Sequence, residues 1–157
     1  MIDLTIPGWG NVHLDNLVMD FNGTLATDGK LIEGVSQRLE ALHKRGLNLF
    51  VITADTNGTV KSECAGLPVQ VMGYDNSTVA QDKARLVQQL GPKNTACIGN
   101  GRNDLAMFEA SELSAVVIGT EGAYVKSIQQ ADVLFSNILD ALDFFLKDHR
   151  MKATLRG

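Results

Sequence analysis

An apolar segment that ends on a carboxylate is the feature that most constrains how this chain folds. Residues 17–19 are Leu-Val-Met, Asp20 follows directly, and an Asn-Gly-Thr turn occupies residues 22–24. A short apolar run bounded by a glycine turn is typical of a buried parallel strand. Open α/β sheets bind ligands outside the carboxyl ends of such strands. We therefore predict that Asp20 lies at a ligand-binding edge.

Strand-like and helix-like segments alternate along the rest of the chain. Further strands are predicted at residues 47–52, 69–72, 95–98, 115–118 and 133–135. Helices are predicted at residues 35–45, 56–65, 78–90, 102–110 and 121–129, with a last amphipathic helix after residue 136. Gly46 is expected to end the first helix, Ser77 or Thr78 to cap the third, and Ser136 to cap the last.

The start of the chain has a different pattern. Ile2, Leu4 and Ile6 alternate with polar residues, and a Pro-Gly turn follows. This pattern predicts an N-terminal β-hairpin whose second arm is residues 12–14. Strands that alternate with helices predict βαβ crossovers and a parallel sheet. The expected fold is α/β, a doubly wound parallel sheet forming a single domain over residues 1–157.

Composition excludes several function classes. The net charge is −4 over 157 residues, which argues against the clustered Lys and Arg that nucleic acids and anionic membranes require. The basic residues at 147, 150, 152 and 156 are expected to be a solvated end. Cys64 and Cys97 lack metal-binding or redox spacing, and neither a leader nor an apolar run of ~18 residues is seen. We expect a cytoplasmic protein with no nucleic-acid partner and no membrane association.

Three further stretches place polar residues near predicted strand ends. Thr53 ends the second strand, Lys83 lies in the first turns of a helix, and a glycine loop from Asn100 to Asp104 follows another strand. The ends of parallel strands meet at one edge of a sheet, so these residues are expected near Asp20. Each also has a structural interpretation: Asp20, Thr53 and Asp104 as turn or cap residues, and Lys83 as a solvated helix lysine.

In this order the four stretches resemble the haloacid dehalogenase (HAD) superfamily, whose signature begins Asp-x-Asp-Gly-Thr. The resemblance implies that Asp20 is a nucleophile that forms an aspartyl-phosphate, which divides one difficult step into two easier ones. It implies that Thr53, Ala54, Lys83 and Gly23 bind the phosphoryl group. Asp20, Asn22, Thr53 and Lys83 would then be the catalytic residues.

The resemblance also implies a Mg²⁺ cofactor held by Asp20, Asn22, Asn100 and Asp104. Asn22 stands where most HAD phosphatases carry a second Asp that acts as general acid and base, and losing such a group typically costs ~10²–10⁴-fold in rate. The backbone carbonyl at that position, which usually binds the metal, is retained. Asn100 stands where many members carry the main metal-binding Asp, and its amide oxygen is a weaker, neutral ligand.

The motifs are most similar to the phosphorylation domain of P-type ATPases, and in particular to the free-standing HAD proteins described as soluble P-type ATPase-like phosphatases. The segments between Thr24 and Thr53 and between Thr53 and Lys83 are too short to hold a nucleotide domain or a cap. We expect a capless, HAD-type Rossmann-like domain that is not a pump. Its open site suits a bulky phosphorylated substrate, or a homo-oligomer in which a neighbouring subunit forms the lid.

Two functions remain open from the sequence. The first is a Mg²⁺-dependent phosphatase that is slow because Asn22 replaces the acid–base residue. The second is a phosphate-sensing or scaffold protein that keeps the fold without useful turnover. A receiver-like signalling domain, which also joins Asp, Thr and Lys at a sheet edge, fits less well because its acidic pair is absent.

Overall fold

A six-stranded parallel sheet forms the centre of the protein. The computed structural model describes residues 1–55 and 58–157. The strands are β1 (Ile2–Ile6), β2 (Gly10–Leu14), β3 (Asn16–Asp20), β4 (Ala26–Thr27), β5 (Lys30–Leu31), β6 (Asn48–Thr53), β7 (Gln70–Gly73), β8 (Thr95–Gly99), β9 (Leu113–Val117) and β10 (Val133–Phe135). The helices are α1 (Val35–Lys44), α2 (Thr59–Glu63), α3 (Val79–Leu90), α4 (Leu105–Ala110), α5 (Val125–Gln130), α6 (Ile138–Leu146) and α7 (Asp148–Leu155).

The strand order places β3 where the sheet reverses its direction of growth. Across the sheet the order is β10-β9-β8-β3-β6-β7, and every neighbouring pair is parallel. The chain runs outward from β3 through β6 to β7 and then returns to the other side of β3 as β8. In doubly wound sheets the ligand crevice lies at this reversal, outside the carboxyl ends of the strands. Asp20, the last residue of β3, stands at that crevice.

Helices cover both faces of the sheet. On one face α1 and α6 pack in a cluster that includes Met19 and Val51. On the other face α3 and α4 pack in a cluster that includes Val18 and Phe50. Neighbouring strand residues enter opposite clusters because side chains alternate along a strand. β3 is buried over its whole length, so packing on both faces fixes the direction in which Asp20 points.

The predicted α/β architecture and N-terminal hairpin are confirmed. β1 pairs antiparallel with β2, and the apolar side of this hairpin joins the cluster under α1 and α6. A second, very short antiparallel pair, β4 with β5, was not predicted. Within the described residues, the connections after β3 and β6 contain short elements and no inserted cap domain. None of the described helices is long and apolar enough to cross a membrane.

One predicted helix cap, Ser136, is wrong, and the cap predicted at Ser77 or Thr78 is confirmed in position but not in its hydrogen bond. Ser77 precedes the N-cap of α3, which is Thr78, but the Thr78 hydroxyl donates to Asp82 at 2.7 Å and no side chain caps the helix. Asn137, not Ser136, caps α6, because its side-chain oxygen accepts the N–H of Asp140 at 2.9 Å. At both helix N-termini, neighbouring short polar side chains compete for the same backbone and side-chain partners, and this competition decides which residue, if any, caps the helix. The predicted end of the first helix at Gly46 is confirmed, with Gly46 at φ 96° just beyond it.

The start of one helix also differs from the prediction. α5 begins at Val125 rather than Glu121, because residues 119–122 form a turn closed by a Gly122 N–H to Gly119 carbonyl bond of 3.0 Å. The predicted start of α2 at Thr56 lies outside the described residues.

The basic C-terminal segment is not simply a solvated end. It forms α7, whose Met151 and Leu155 are buried. Apolar residues four apart share one face of a helix, so this face packs against the core while the charged residues face outward.

Candidate active site

The carboxyl ends of β3, β6 and β8 form a cavity of about 770 Å³. Asp20 lies in its wall at the sheet reversal. The residues that line the cavity are Asp20, Asn22, Thr53, Ala54, Asp55, Asn76, Ala80, Asn100, Gly101, Arg102, Asn103 and Glu121. Five of the residues predicted for the site (20, 22, 53, 54 and 100) are therefore in this wall.

Lys83 is buried beneath the cavity and links the end of β3 to the loop after β8 through hydrogen bonds. Its Nζ donates hydrogen bonds to Asp20 Oδ1 at 2.9 Å, to Asp104 Oδ1 at 2.7 Å and to Asn103 Oδ1 at 3.1 Å. An ammonium group has three donors, so all three are used. The Lys83 side chain is 1% exposed, and a buried lysine requires such pairing because an isolated buried charge is costly. The predicted proximity of Lys83, Asp20 and Asp104 is thus present.

Asp104 holds the loop that follows β8. Its Oδ2 accepts the N–H groups of Asn100 and Gly101, each at 2.9 Å, while its Oδ1 accepts from Lys83. Gly99 has no side chain at the point of closest approach, where a Cβ would lie 2.4 Å from the Asp104 carboxylate. Asp104 is fully buried and both of its oxygens are bound, so it lies below the cavity wall and not in it.

The charge of this buried cluster is unbalanced. Two carboxylates, Asp20 and Asp104, face one ammonium group, Lys83. Burial and the charge of Asp104 raise the pKa of Asp20 to about 7, while Lys83 acts in the opposite direction. Burial alone would lower the pKa of Lys83, but the two carboxylates outweigh it and raise that pKa above its usual value. With both carboxylates ionised, the cluster carries an excess of negative charge that a cation would offset.

Asn100 ties the loop after Asp20 to the far side of the site. Its side-chain oxygen accepts from the Thr24 hydroxyl at 3.3 Å, and its Nδ2 donates to the Gly122 carbonyl at 3.2 Å. Gly23 lies against it with φ 79°, and a Cβ there would lie 2.5 Å from both Asn100 Nδ2 and Glu121 Oε2. Gly23 is required both by its left-handed conformation and by this close approach.

The remaining predicted residues have definite partners. The Thr53 hydroxyl oxygen accepts the Asp55 N–H at 2.9 Å, which leaves the hydroxyl hydrogen available to a ligand in the cavity. The Asn22 side-chain oxygen accepts the Gly29 N–H at 3.1 Å. Gly23 was predicted to bind phosphate, and its N–H donates to the Ala26 carbonyl at 2.9 Å.

Among the cavity residues that were not predicted from the sequence, two polar side chains stand out by their position. Asn103 is the third acceptor of Lys83, and Glu121 contributes a carboxylate to the cavity wall. Glu121 follows β9, whose carboxyl end lies at the same edge of the sheet. The rule that placed Asp20 and Thr53 at this edge would have found Glu121, had residue 121 not been assigned to a helix.

The donor set suits a hard cation such as Mg²⁺. Mg²⁺ takes oxygen ligands and is commonly held by one or two carboxylates together with waters and phosphate oxygens. The cavity presents the Asp20 carboxylate and the Asn100 amide beside an excess of negative charge. Among the described residues no three His, Cys, Asp or Glu side chains converge as a preformed metal cluster. The few oxygen donors of the cavity wall fit a cation that keeps waters and substrate oxygens as its other ligands.

We expect Lys83→Met to destabilise the fold, because it leaves two carboxylates facing each other in the interior without a cation. Breaking a buried ion pair in this way costs about 3–5 kcal/mol. Urea unfolding of the metal-free protein measures the loss. Adding Asp104→Asn to the Lys83→Met variant removes one negative charge and should restore part of the lost unfolding free energy. A loss below about 1 kcal/mol, the range of exposed pairs, would contradict the structural role of Lys83.

The contact at Gly23 gives a second expectation. Gly23→Ala combines backbone strain, about 1–2 kcal/mol for a left-handed residue, with the clash against Asn100. Gly66→Ala is the matched control, because Gly66 has φ 78° and nothing within 4 Å of its Cβ position. Urea unfolding should show Gly23→Ala to be the more destabilising change. Equal losses of unfolding free energy in the two variants would mean that the loop shifts enough to avoid the clash with Asn100.

Comparison with known proteins agrees with this geometry. Residues 12–112 match the model of the haloacid dehalogenase-like hydrolases. An uncharacterized protein of Methanocaldococcus jannaschii is 38% identical over 87 residues, which are 53% of this chain and 91% of that one. The soluble P-type ATPase-like phosphatase of the same organism is 24% identical over 144 residues, 89% of this chain. The match spans 52% of the length of that phosphatase.

A solved structure supports the fold independently. The 3-deoxy-D-manno-octulosonate 8-phosphate phosphatase of Moraxella catarrhalis, in complex with magnesium ion, phosphate ion and KDO, superimposes with a TM-score of 0.73. The superposition covers 88% of this chain and 90% of that one, at 15% sequence identity. At this identity the likeness shows the fold. The family match, which spans more than half of the chain, shows that this chain belongs to the haloacid dehalogenase-like hydrolases.

Proposed function

We propose that the chain is a Mg²⁺-dependent phosphatase that acts through an aspartyl-phosphate on Asp20. The observation that carries the proposal is the contact of Lys83 with Asp20, at the carboxyl end of β3 and beside an open cavity. Lys83 donates to Oδ1 of this carboxylate, which would leave the other oxygen, Oδ2, to attack. The phosphatases among the relatives and structural neighbours support the same reaction class.

The reaction would proceed in two displacements. In the first, an Asp20 oxygen attacks phosphorus, the bond to the ester oxygen breaks, and the leaving alcohol takes a proton from solvent. In the second, water attacks the phosphorus of the aspartyl-phosphate, its proton goes to solvent, and the Asp20 carboxylate is regenerated with release of phosphate. The Thr53 hydroxyl and the backbone that continues to Ala54 would hold phosphoryl oxygens at the cavity wall.

The charges of the site would serve the same chemistry. Lys83 would offset the negative charge of the nucleophile and of the incoming phosphoryl group. The cation would be held by the Asp20 carboxylate, the Asn22 backbone carbonyl and the Asn100 amide oxygen. Asp104 would act from beneath, since both of its oxygens are already bound. Mg²⁺, when bound, supplies charge neutralisation to the phosphoryl group.

Asn22 would limit the rate of this enzyme. An amide neither protonates a leaving group nor takes a proton from water, and its side-chain oxygen is held by the Gly29 N–H. A positioned acid–base group is typically worth ~10²–10⁴-fold. We therefore propose a slow phosphatase whose substrate is a phosphorylated molecule able to enter an open cavity.

Asn22 also supports a second candidate, a phosphate-sensing protein with the same fold. In that case the site binds phosphate with Mg²⁺ but does not hydrolyse phosphoesters at a useful rate. The two candidates differ in turnover and share the binding geometry, so one set of variants separates them.

The test is Mg²⁺-dependent phosphate release from a generic aryl phosphate. We expect Asp20→Asn to abolish release, because the nucleophile is lost. Asn22→Asp should raise the rate by up to ~10²–10⁴-fold, because an aspartate retains the acceptor for Gly29 and gains acid–base function. The matched control is Asp3→Asn, an exposed aspartate in the N-terminal hairpin, which should leave the rate unchanged.

The outcomes separate the candidates. Undiminished release by Asp20→Asn would refute the phosphatase mechanism. A silent native protein that becomes active as Asn22→Asp would favour the phosphate sensor. Binding of beryllofluoride with Mg²⁺ by the native protein, detected calorimetrically, would then be expected to persist.

A further inference from the structure

We propose that Glu121 supplies the second cavity carboxylate of the cation site, in place of the one absent at Asn100. The inference deepens the proposed function and rests on it. It is carried by the geometry of the turn after β9, by the hydrogen bonds of Asn100 and by the position of the Glu121 carboxylate.

The turn at residues 119–122 lies directly against the loop that follows Asp20. It is closed by the hydrogen bond from Gly122 N–H to the Gly119 carbonyl, 3.0 Å long. Gly119 approaches so closely that a Cβ there would lie 2.8 Å from the Gly23 carbonyl oxygen. Backbone therefore packs on backbone, and the turn has a fixed position relative to the nucleophile loop.

Asn100 fixes this turn and the segment that follows it with one hydrogen bond to each. Its Nδ2 donates to the Gly122 carbonyl at 3.2 Å, and its backbone carbonyl accepts the Tyr124 N–H at 2.8 Å. A carboxylate at position 100 has no donor for the first of these bonds, and it would face a carbonyl oxygen instead. The amide at Asn100 is thus suited to positioning the turn that carries Glu121.

The Glu121 carboxylate lies beside the Asn100 amide. Glu121 Oε2 and Asn100 Nδ2 are each 2.5 Å from the Cβ position of Gly23, and both residues line the cavity with Asp20. In the described part of the chain the Glu121 carboxylate makes no hydrogen bond or ion pair. Asp104, by contrast, has both oxygens bound below the wall. Of these two carboxylates, Glu121 is therefore the one that a cation in the cavity can reach, because Asp104 is fully buried.

This arrangement completes a magnesium donor set. Mg²⁺ is usually held by one or two carboxylates with the remaining positions taken by waters and substrate oxygens. Asp20 at the end of β3 and Glu121 in the turn at residues 119–122 provide two, and this turn contacts the loop after Asp20 at Gly23. Glu121 would contribute its oxygen directly or through a water on the cation. Glu121 would then supply the negative charge that the neutral amide of Asn100 does not provide.

The test measures metal affinity and not activity. Mn²⁺, a paramagnetic substitute for Mg²⁺, is titrated into the metal-free protein and the free ion is followed by electron paramagnetic resonance. We expect Glu121→Gln, which retains shape and removes charge, to weaken Mn²⁺ binding roughly ten- to hundredfold, as for groups that orient or support metal ligands. Glu109→Gln, on the exposed side of α4, is the matched control and should bind as the native protein does.

Asp20→Asn distinguishes failure of this inference from failure of the proposed function. If Asp20→Asn loses Mn²⁺ and Glu121→Gln keeps native affinity, the role of Glu121 is refuted while the proposed site stands. If Asp20→Asn also binds as tightly as the native protein, or the native protein binds no Mn²⁺, both proposals fail. Weakening in both variants with an unchanged Glu109→Gln supports the inference.

Discussion

The three hydrogen bonds of Lys83 are the interaction on which the rest of the site depends. They join the end of β3, the loop after β8 and the helix α3, which come from distant parts of the chain. Burying one ammonium and two carboxylates is costly, and only close geometry with every donor used makes it tolerable. A site built in this way is preorganised, since the groups that meet a phosphoryl ligand are already held before it arrives.

The residues at the ends of buried strands could be predicted from the sequence. Asp20 and Thr53 follow apolar runs, and the parallel sheet then brings them to one edge without further information. The contact of Lys83 with Asp20 was reached through the order of motifs, since the spacing of a single lysine on a helix does not show whether it is buried or solvated.

Other features were decided by tertiary contacts that leave little trace in sequence. Glu121 was assigned to the start of a helix, yet the close contact of Gly119 with Gly23 keeps this segment in a turn. α7 was missed because its charged residues dominate the pattern while Met151 and Leu155 make the packing contacts. In both cases the local pattern was compatible with more than one structure, and packing chose between them.

Asn22 and Asn100 have different structural roles. At Asn22 the side chain accepts a backbone N–H, a bond that an aspartate would also accept, so the fold places no demand on the amide there. At Asn100 the side chain both accepts and donates, and the donor is specific to an amide. Compared with an aspartate, Asn22 thus changes only the chemistry of the site. Asn100 also supports the local structure through its donor bond.

The burial of Lys83 has a consequence for its chemical reactivity. Amine-modifying reagents require an accessible, unprotonated nitrogen, and Lys83 is 1% exposed with a raised pKa. It should resist acylation for as long as its three partners remain in place, whereas Lys152 on the exposed side of α7 has no such protection. Labelling of Lys83 would then report transient opening of the interior around the nucleophile, at a position where no probe has to be introduced.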